Sequence, residues 1–241
     1  MIRALLPMLL ISGVASAAEC GPDRLQTERT IVLKREGAAY GAHQHTALSL
    51  AKGEVVLTFD DGPSPENTPL VLKALADQCA KATFFMEGRN LRRSPELARR
   101  VVGEGHSAGI HSDTHPNLST LSSEQQLDDL TRSRAAYKAV FGSETPAYRF
   151  PFLEETPTML AALKQANITV ASIDLGINDW IPEDTTAVLA QRLNESLDKA
   201  GRGIILMHDA NGPTAKALPT LLKVLKDKGY KVVHLEWEQA P

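Results

Sequence analysis

The chain has 241 residues, a formal net charge of -3 and 43% hydrophobic residues. That length allows one large domain or two small ones, and the apolar fraction excludes wholesale disorder. With 26 basic against 29 acidic residues no polycationic nucleic-acid surface is expected, and 5% aromatic content argues against a module that only stacks sugars or bases. Two cysteines exclude a disulfide-dense scaffold and a four-cysteine zinc site, so any metal must be held by histidine and carboxylate.

Residues 1–18 read as an export signal. Arg3 supplies positive charge, Leu5 to Val14 an apolar run too short to span a membrane, and Ala15-Ser16-Ala17 a small-x-small cleavage site. The mature chain then begins at Ala18 or Glu19, with no membrane span, as a soluble periplasmic or secreted protein. That compartment permits a disulfide between Cys20 and Cys79, which would tie an N-terminal arm (19–53) to the body; the alternative is two unpaired small hydrophobes. Within the arm, Thr30 to Leu33 has the character of a strand.

From residue 54 onward, short apolar runs alternate with amphipathic stretches. Strands are predicted over Glu54–Phe59, Lys81–Met86, Ser107–Ile110, Ala147–Phe150, Thr169–Ile173, Gly203–Met207 and Tyr230–Leu235. Helices are predicted over Glu66–Gln78, Pro95–Glu104, Ser122–Phe141, Thr156–Ala166, Asp184–Lys199 and Thr214–Lys228. Ser94-Pro95 and Thr156-Pro157 are helix starts, and Gly142 is a helix stop. This β-α repeat implies about seven parallel strands joined by right-handed crossovers, as a doubly wound sheet or a barrel. No linker divides it, so residues 54–241 form one domain. In either architecture ligands bind at the C-terminal ends of the strands.

Polar residues cluster at those ends. The first strand runs into Asp60-Asp61-Gly62-Pro63. Two adjacent carboxylates repel unless something offsets them. A metal would, with one carboxylate as ligand and the other as base; the alternative is an ordinary Asp-Gly-Pro turn. The third strand runs into His111-Ser112-Asp113-Thr114-His115-Pro116, whose two imidazoles suit a divalent metal or are surface histidines. His43 and His45 in the arm form a competing pair without a strand-end setting, read as structural or exposed. Arg149-Phe150-Pro151-Phe152 ends the fourth strand, Asp179-Trp180 follows the fifth, and Leu206-Met207-His208-Asp209 ends the sixth.

Taken in order, these motifs resemble the NodB-type polysaccharide deacetylases, carbohydrate esterase family 4, over about residues 54–236. The resemblance implies a distorted (β/α) barrel of about seven parallel strands. It implies Asp60 as general base, Asp61, His111 and His115 as metal ligands, and His208 as general acid. Arg149 would orient the base and Asp179 the acid, and the Phe152 N–H would bind the oxyanion. Pro151, Trp180 and Leu206 would line the substrate pocket. The cofactor would be a divalent metal, zinc by ligand type, with cobalt, nickel and manganese as alternatives. The partner is a glycan. The implied reaction is removal of N-linked acetyl groups from an N-acetylglucosamine polymer such as peptidoglycan or chitin oligomers. An O-acetyl (xylan) esterase and a non-catalytic glycan-binding module are the competing readings. Two departures bear on substrate choice: Phe150 and Leu153 replace Pro and Gly of the R-P-P-[YF]-G motif, and Gly176 replaces the first Asp of D-x-x-D-W. Leu153 must take a different turn or crowd the cleft, and Asp174, two residues before Gly176, is a candidate substitute for the missing carboxylate.

Overall fold

The computed structural model describes residues 20–238, so the export signal expected over 1–18 lies outside the described residues. The arm contributes two strands, β1 (Thr27–Leu33) and β2 (Ala39–Tyr40). Seven further strands follow: β3 (Glu54–Asp60), β4 (Thr83–Met86), β5 (Ser107–Ile110), β6 (Ala147–Tyr148), β7 (Thr169–Ala171), β8 (Leu175–Gly176) and β9 (Gly203–His208). β10 (Lys231–Trp237) is the last element among the described residues. Helices α1 (Thr68–Asp77), α2 (Gly88–Arg93), α3 (Pro95–Gly103), α4 (Ser123–Phe141), α5 (Pro157–Gln165), α6 (Thr186–Ala200) and α7 (Gly212–Asp227) connect them.

The strand pairs are parallel. From β3 the sheet runs through β4, β5 and β6 to β7 on one side, and through β9 to β8 on the other. This is the distorted (β/α) barrel expected, opening between β7 and β8. The arm covers that opening, because β2 pairs with the free edge of β7. An unpaired edge strand would leave backbone donors and acceptors open to other chains.

The strand count of seven holds, but its membership differs. The final strand predicted over Tyr230–Leu235 does not close the ring. β10 pairs only with the start of β3, at Glu54 and Val55, and carries β1 on its other edge. β8 takes the seventh place, and its two residues are too few to leave a periodic signal. The six-residue α2 is likewise too short to leave a periodic signal.

Local chemistry explains the helix limits. The Ser122 hydroxyl accepts from the Gln125 N–H while the Gln125 side chain accepts from the Ser122 N–H, a reciprocal cap that starts α4. Gly142, at φ 73°, ends it. Every residue of β3 is buried, as a parallel strand between two layers requires. Its alternation still sorts side chains: Val55, Leu57 and Phe59 belong to the large core cluster, whereas Val56 packs in a second cluster with Ile204, Val233, Leu235 and the arm's Leu33, Leu48 and Leu50. The arm therefore supplies barrel core, at about 1.5–3 kcal/mol per fully buried leucine. Cys20 and Cys79 form a disulfide. Closing a loop with sequence separation 59 contributes about 4 kcal/mol by chain entropy. The Gln26 and Thr27 amides also donate to the Gln78 and Cys79 carbonyls, at 2.9 and 3.1 Å. Among the described residues no helix is long and apolar enough to cross a membrane.

Candidate active site

The motif residues converge at the C-terminal mouth of the barrel. One cavity of about 470 Å³ is lined by Asp60, Asp61, His111, His115, Phe150, Phe152, Leu153, Trp180, Leu206 and His208. Asp60 is the last residue of β3, and its side chain faces the barrel interior. There Arg149 spans the barrel: Nη1 donates to Asp60 Oδ1 at 2.8 Å and to Thr58 Oγ1 at 2.7 Å. Its Nε and Nη2 donate to the carbonyls of Ala171 and Ser172, at 3.0 and 3.2 Å. The guanidinium also lies over the Phe85 ring, 4.2 Å from the centroid. Both partners of this ion pair are buried. Burial pushes the Asp60 carboxyl up from its ordinary range, and Arg149, followed by His208, opposes that shift. Arg149 engages Oδ1; Oδ2 lies 3.8 Å from His111 Nε2.

Asp61, His111 and His115 form a group whose ligand atoms all lie within 4.8 Å of one another. Asp61 Oδ1 is 3.4 Å from His111 Nε2 and 3.5 Å from His115 Nε2, yet it is buried without a hydrogen-bond partner. His111 Nδ1 donates to the Arg149 carbonyl at 2.8 Å, so the neutral ring turns the lone pair of Nε2 towards Asp61. Burial pushes His111 down to about 3, so the ring is neutral at physiological pH. Lone pairs directed at an orphaned carboxylate oxygen repel unless a cation lies among them. The donor set thus fits a divalent metal, and two imidazoles with one carboxylate are a common zinc set.

The loops around the cavity depart from ordinary backbone. Asp61 (φ 71°), Ser112 (φ 62°), His115 (φ 61°), Phe152 (φ 57°) and Leu153 (φ 57°) are all left-handed. Non-glycine residues hold that conformation only where the surroundings over-determine it. Ser112 does so for the third-strand loop, since its Oγ accepts from the His115 N–H at 2.8 Å and closes the turn. Gly62 is required for a different reason: a Cβ there would collide with the buried Asp209 carboxylate.

On the opposite wall, His208 ends β9. Its Nδ1 donates to Asp179 Oδ1 at 2.8 Å, and its backbone N–H donates to Asp179 Oδ2 at 2.8 Å. The Thr214 hydroxyl, from the first turn of α7, also donates to Oδ2. Burial alone would lower the imidazole. The hydrogen bond and charge of Asp179, with more distant help from Asp60 and Asp61, outweigh it and push His208 up to about 9. Trp180 packs edge-on to His208 at 5.8 Å and Phe152 edge-on to His115 at 4.6 Å. These rings are 52% and 61% exposed, so each side of the site presents an aromatic face.

A profile of the polysaccharide deacetylase family matches residues 48–171. The chain belongs to this family. It is 29% identical to a peptidoglycan-N-acetylglucosamine deacetylase of Bacillus cereus, over 76% of this chain and 67% of that protein. It superposes on the peptidoglycan deacetylase Bd3279 of Bdellovibrio bacteriovorus with a TM-score of 0.80 and 30% identity, over 90% of this chain and 60% of that one. It also superposes on a CE4 family pseudoenzyme from Bacillus anthracis, with a TM-score of 0.69 and 26% identity over 78% of this chain and 70% of that one. Among curated relatives the matched share of the relative runs from 38% to 87%. Since a pseudoenzyme shares the fold, the residues of the site, and not the fold, must carry the case for catalysis in this deacetylase family member.

Two sequence expectations change, and at Leu153 the structure decides between the two alternatives. Pro151 is buried within the turn and does not line the cavity; its neighbours Phe150, Phe152 and Leu153 do. Asp174 does not replace the missing carboxylate. Its oxygens accept from the Ala42 and Ile204 amides, both at 2.7 Å, near the start of β9 and not at the His208 end. Leu153 takes the left-handed conformation suited to Gly and also lines the cavity, so the turn is kept and the cleft is narrowed. His45 is structural as expected, with Nε2 2.7 Å from Glu155 Oε1. Thr214 and Ser172 support Asp179 and Arg149 without any mark in the sequence, because a lone Thr or Ser carries no spacing signal.

Proposed function

We propose that the chain removes N-linked acetyl groups from an N-acetylglucosamine polymer, such as peptidoglycan or chitin oligomers. One observation carries this reading: a charge-paired carboxylate, a three-ligand metal set and a carboxylate-paired histidine line a single cavity. Asp61, His111 and His115 would hold a divalent metal, zinc by ligand type, with cobalt, nickel or manganese able to occupy the same donors. When bound, such an ion supplies Lewis-acid charge that polarises a carbonyl and makes water more acidic.

The chain's own residues do the rest. Arg149 favours the ionised form of Asp60 against burial and pins Oδ1, and Oδ2 takes a proton from the attacking water. The Phe152 amide donates to the oxyanion that forms on the acetyl carbonyl. Leu206 and Trp180 enclose the methyl group. His208 then gives its Nε2 proton to the departing amine. An amide nitrogen needs that proton, so an imidazolium held up by Asp179 favours N-acetyl over O-acetyl substrates. The glycan is taken to be outside the cytoplasm, in keeping with the export signal read over residues 1–18.

Acetate release tests the reading. Purified protein is stripped with a chelator, reloaded with zinc, cobalt, nickel or manganese, and assayed on N-acetylglucosamine oligomers, peptidoglycan and acetylated xylan. Activity is expected on the N-acetylated glycans, lost on chelation and restored on reloading. Acetate from xylan alone, or none from any metal-loaded sample, would reject it. A second expectation concerns pH. His208 must be protonated, so activity falls as pH rises through about 9. Asp60 must be ionised, so activity also falls on the acid side. Asp179→Asn removes the charge that raises His208, and the alkaline limb of kcat/KM should move down by roughly 1–3 pH units. An unmoved limb would assign it to another group.

A further inference from the structure

The arm does more than plug the barrel. After β2 it passes so close to the end of β7 that a Cβ on Gly41 would lie 2.6 Å from the Ile173 nitrogen and the Ser172 carbonyl carbon. It then turns tightly, with the Gln44 and His45 amides both donating to the Gly41 carbonyl, at 3.1 and 2.8 Å. This turn sets Gln44 against two parts of the site at once. Its Nε2 donates to the Leu153 carbonyl at 2.8 Å, and its Oε1 accepts from the Ser172 hydroxyl at 2.6 Å. Next to it, His45 grips Glu155, just beyond the same turn.

Both ends of the Gln44 amide reach machinery described above. Ser172 lends its carbonyl to Arg149, which holds Asp60. Leu153 is the second of two consecutive left-handed residues, and the first is Phe152. Within the turn, the Leu153 and Glu154 amides close back on the Phe150 and Pro151 carbonyls, at 3.1 and 3.0 Å, and the Phe152 amide takes part in neither bond. A left-handed non-glycine residue costs about 1–2 kcal/mol, so two in succession need an external hold. Glycine would carry no such cost at position 153.

We propose that Gln44 is a positioning residue for catalysis, an arm-borne latch that fixes the Phe152–Leu153 turn and ties it to the strand carrying the base's arginine support. The proposal rests on the deacetylase reading for its effect on turnover. The latch itself is a conformational claim that can be read without turnover. Gln44 is exposed, and replacing it should leave the core intact.

The test compares wild type, Gln44→Met, Leu153→Gly and the double variant, all metal-loaded. Methionine keeps the length and removes both hydrogen bonds. On N-acetylglucosamine oligomers, Gln44→Met should lower kcat about tenfold with KM within about twofold, because a misaligned oxyanion donor is felt in the transition state. Hydrogen exchange in the 150–155 segment should speed up. In the Leu153→Gly background the same substitution should cost less than about threefold, because glycine accepts the left-handed turn unaided. Wild-type kcat in Gln44→Met, an equal loss in both backgrounds, or unchanged exchange over 150–155 would overturn the latch. If wild type releases no acetate, the deacetylase reading fails by itself. The exchange comparison then decides the latch alone: faster exchange sustains it and unchanged exchange ends it.

Discussion

Asp60→Asn should reduce kcat/KM for acetate release by about 10²–10⁴-fold, the usual contribution of a positioned general base. The amide oxygen of asparagine can still accept from Arg149 Nη1, but it cannot take a proton from water. Asp61, His111 and His115 are untouched, so metal content should stay at the wild-type level. Stability should fall as well. Arg149 is fully buried and Asp60 carries its countercharge. Removing one partner of such a pair costs roughly 3–5 kcal/mol. Activity is therefore to be compared well below the variant's melting temperature, with metal content measured on the same sample. Full activity in folded, metal-loaded Asp60→Asn would end its assignment as base.

His208→Ala should separate two substrate classes. On N-acetylglucosamine oligomers the leaving group is an amine, which departs only as it gains a proton, and the loss should be about 10²–10⁴-fold. On an activated ester such as p-nitrophenyl acetate the leaving group departs as a stable anion. There the loss should stay within about tenfold, since the remaining base, oxyanion donor and metal donors still act. Stability should fall here too, because the change leaves the fully buried Asp179 carboxylate without the imidazole that pairs with it, so activity is again compared well below the variant's melting temperature. Equal activity on the amide would reject His208 as acid. Equal losses on amide and ester would mean that it serves both reactions through positioning or charge.

Much of this site is legible in the sequence because chemistry of this kind demands particular residue types just past the ends of buried strands. Asp60-Asp61, His111 with His115, Arg149, Asp179 and His208 each follow an apolar run, and parallel β-α units bring such positions to one rim. The strong helices were legible for a similar reason. α4 and α5 announce themselves by caps and stops whose physics is local.

What could not be read from the sequence depends on residues far apart in the chain. The carbonyl of Leu153 is held by Gln44, 109 positions away, and Asp179 by Thr214, 35 positions away. Two-residue alternation predicts Asp174 on the same strand face as position 176, but only the placement of Ala42 and Ile204 decided which amides it would satisfy. The arm gave one apolar stretch and no place for it, because a two-residue strand such as β2 owes its existence to the open edge of β7 and not to its own propensity. The sequence by itself determined the alternating β-α order and the polar residue types that gather at the barrel mouth, since hydrophobic periodicity and residue chemistry are properties of short segments. Only the tertiary structure decided which strand completes the ring, that the arm supplies core and a latch, and how Leu153 can occupy a glycine's conformation. Those depend on long-range packing and hydrogen bonds that form once the barrel has closed.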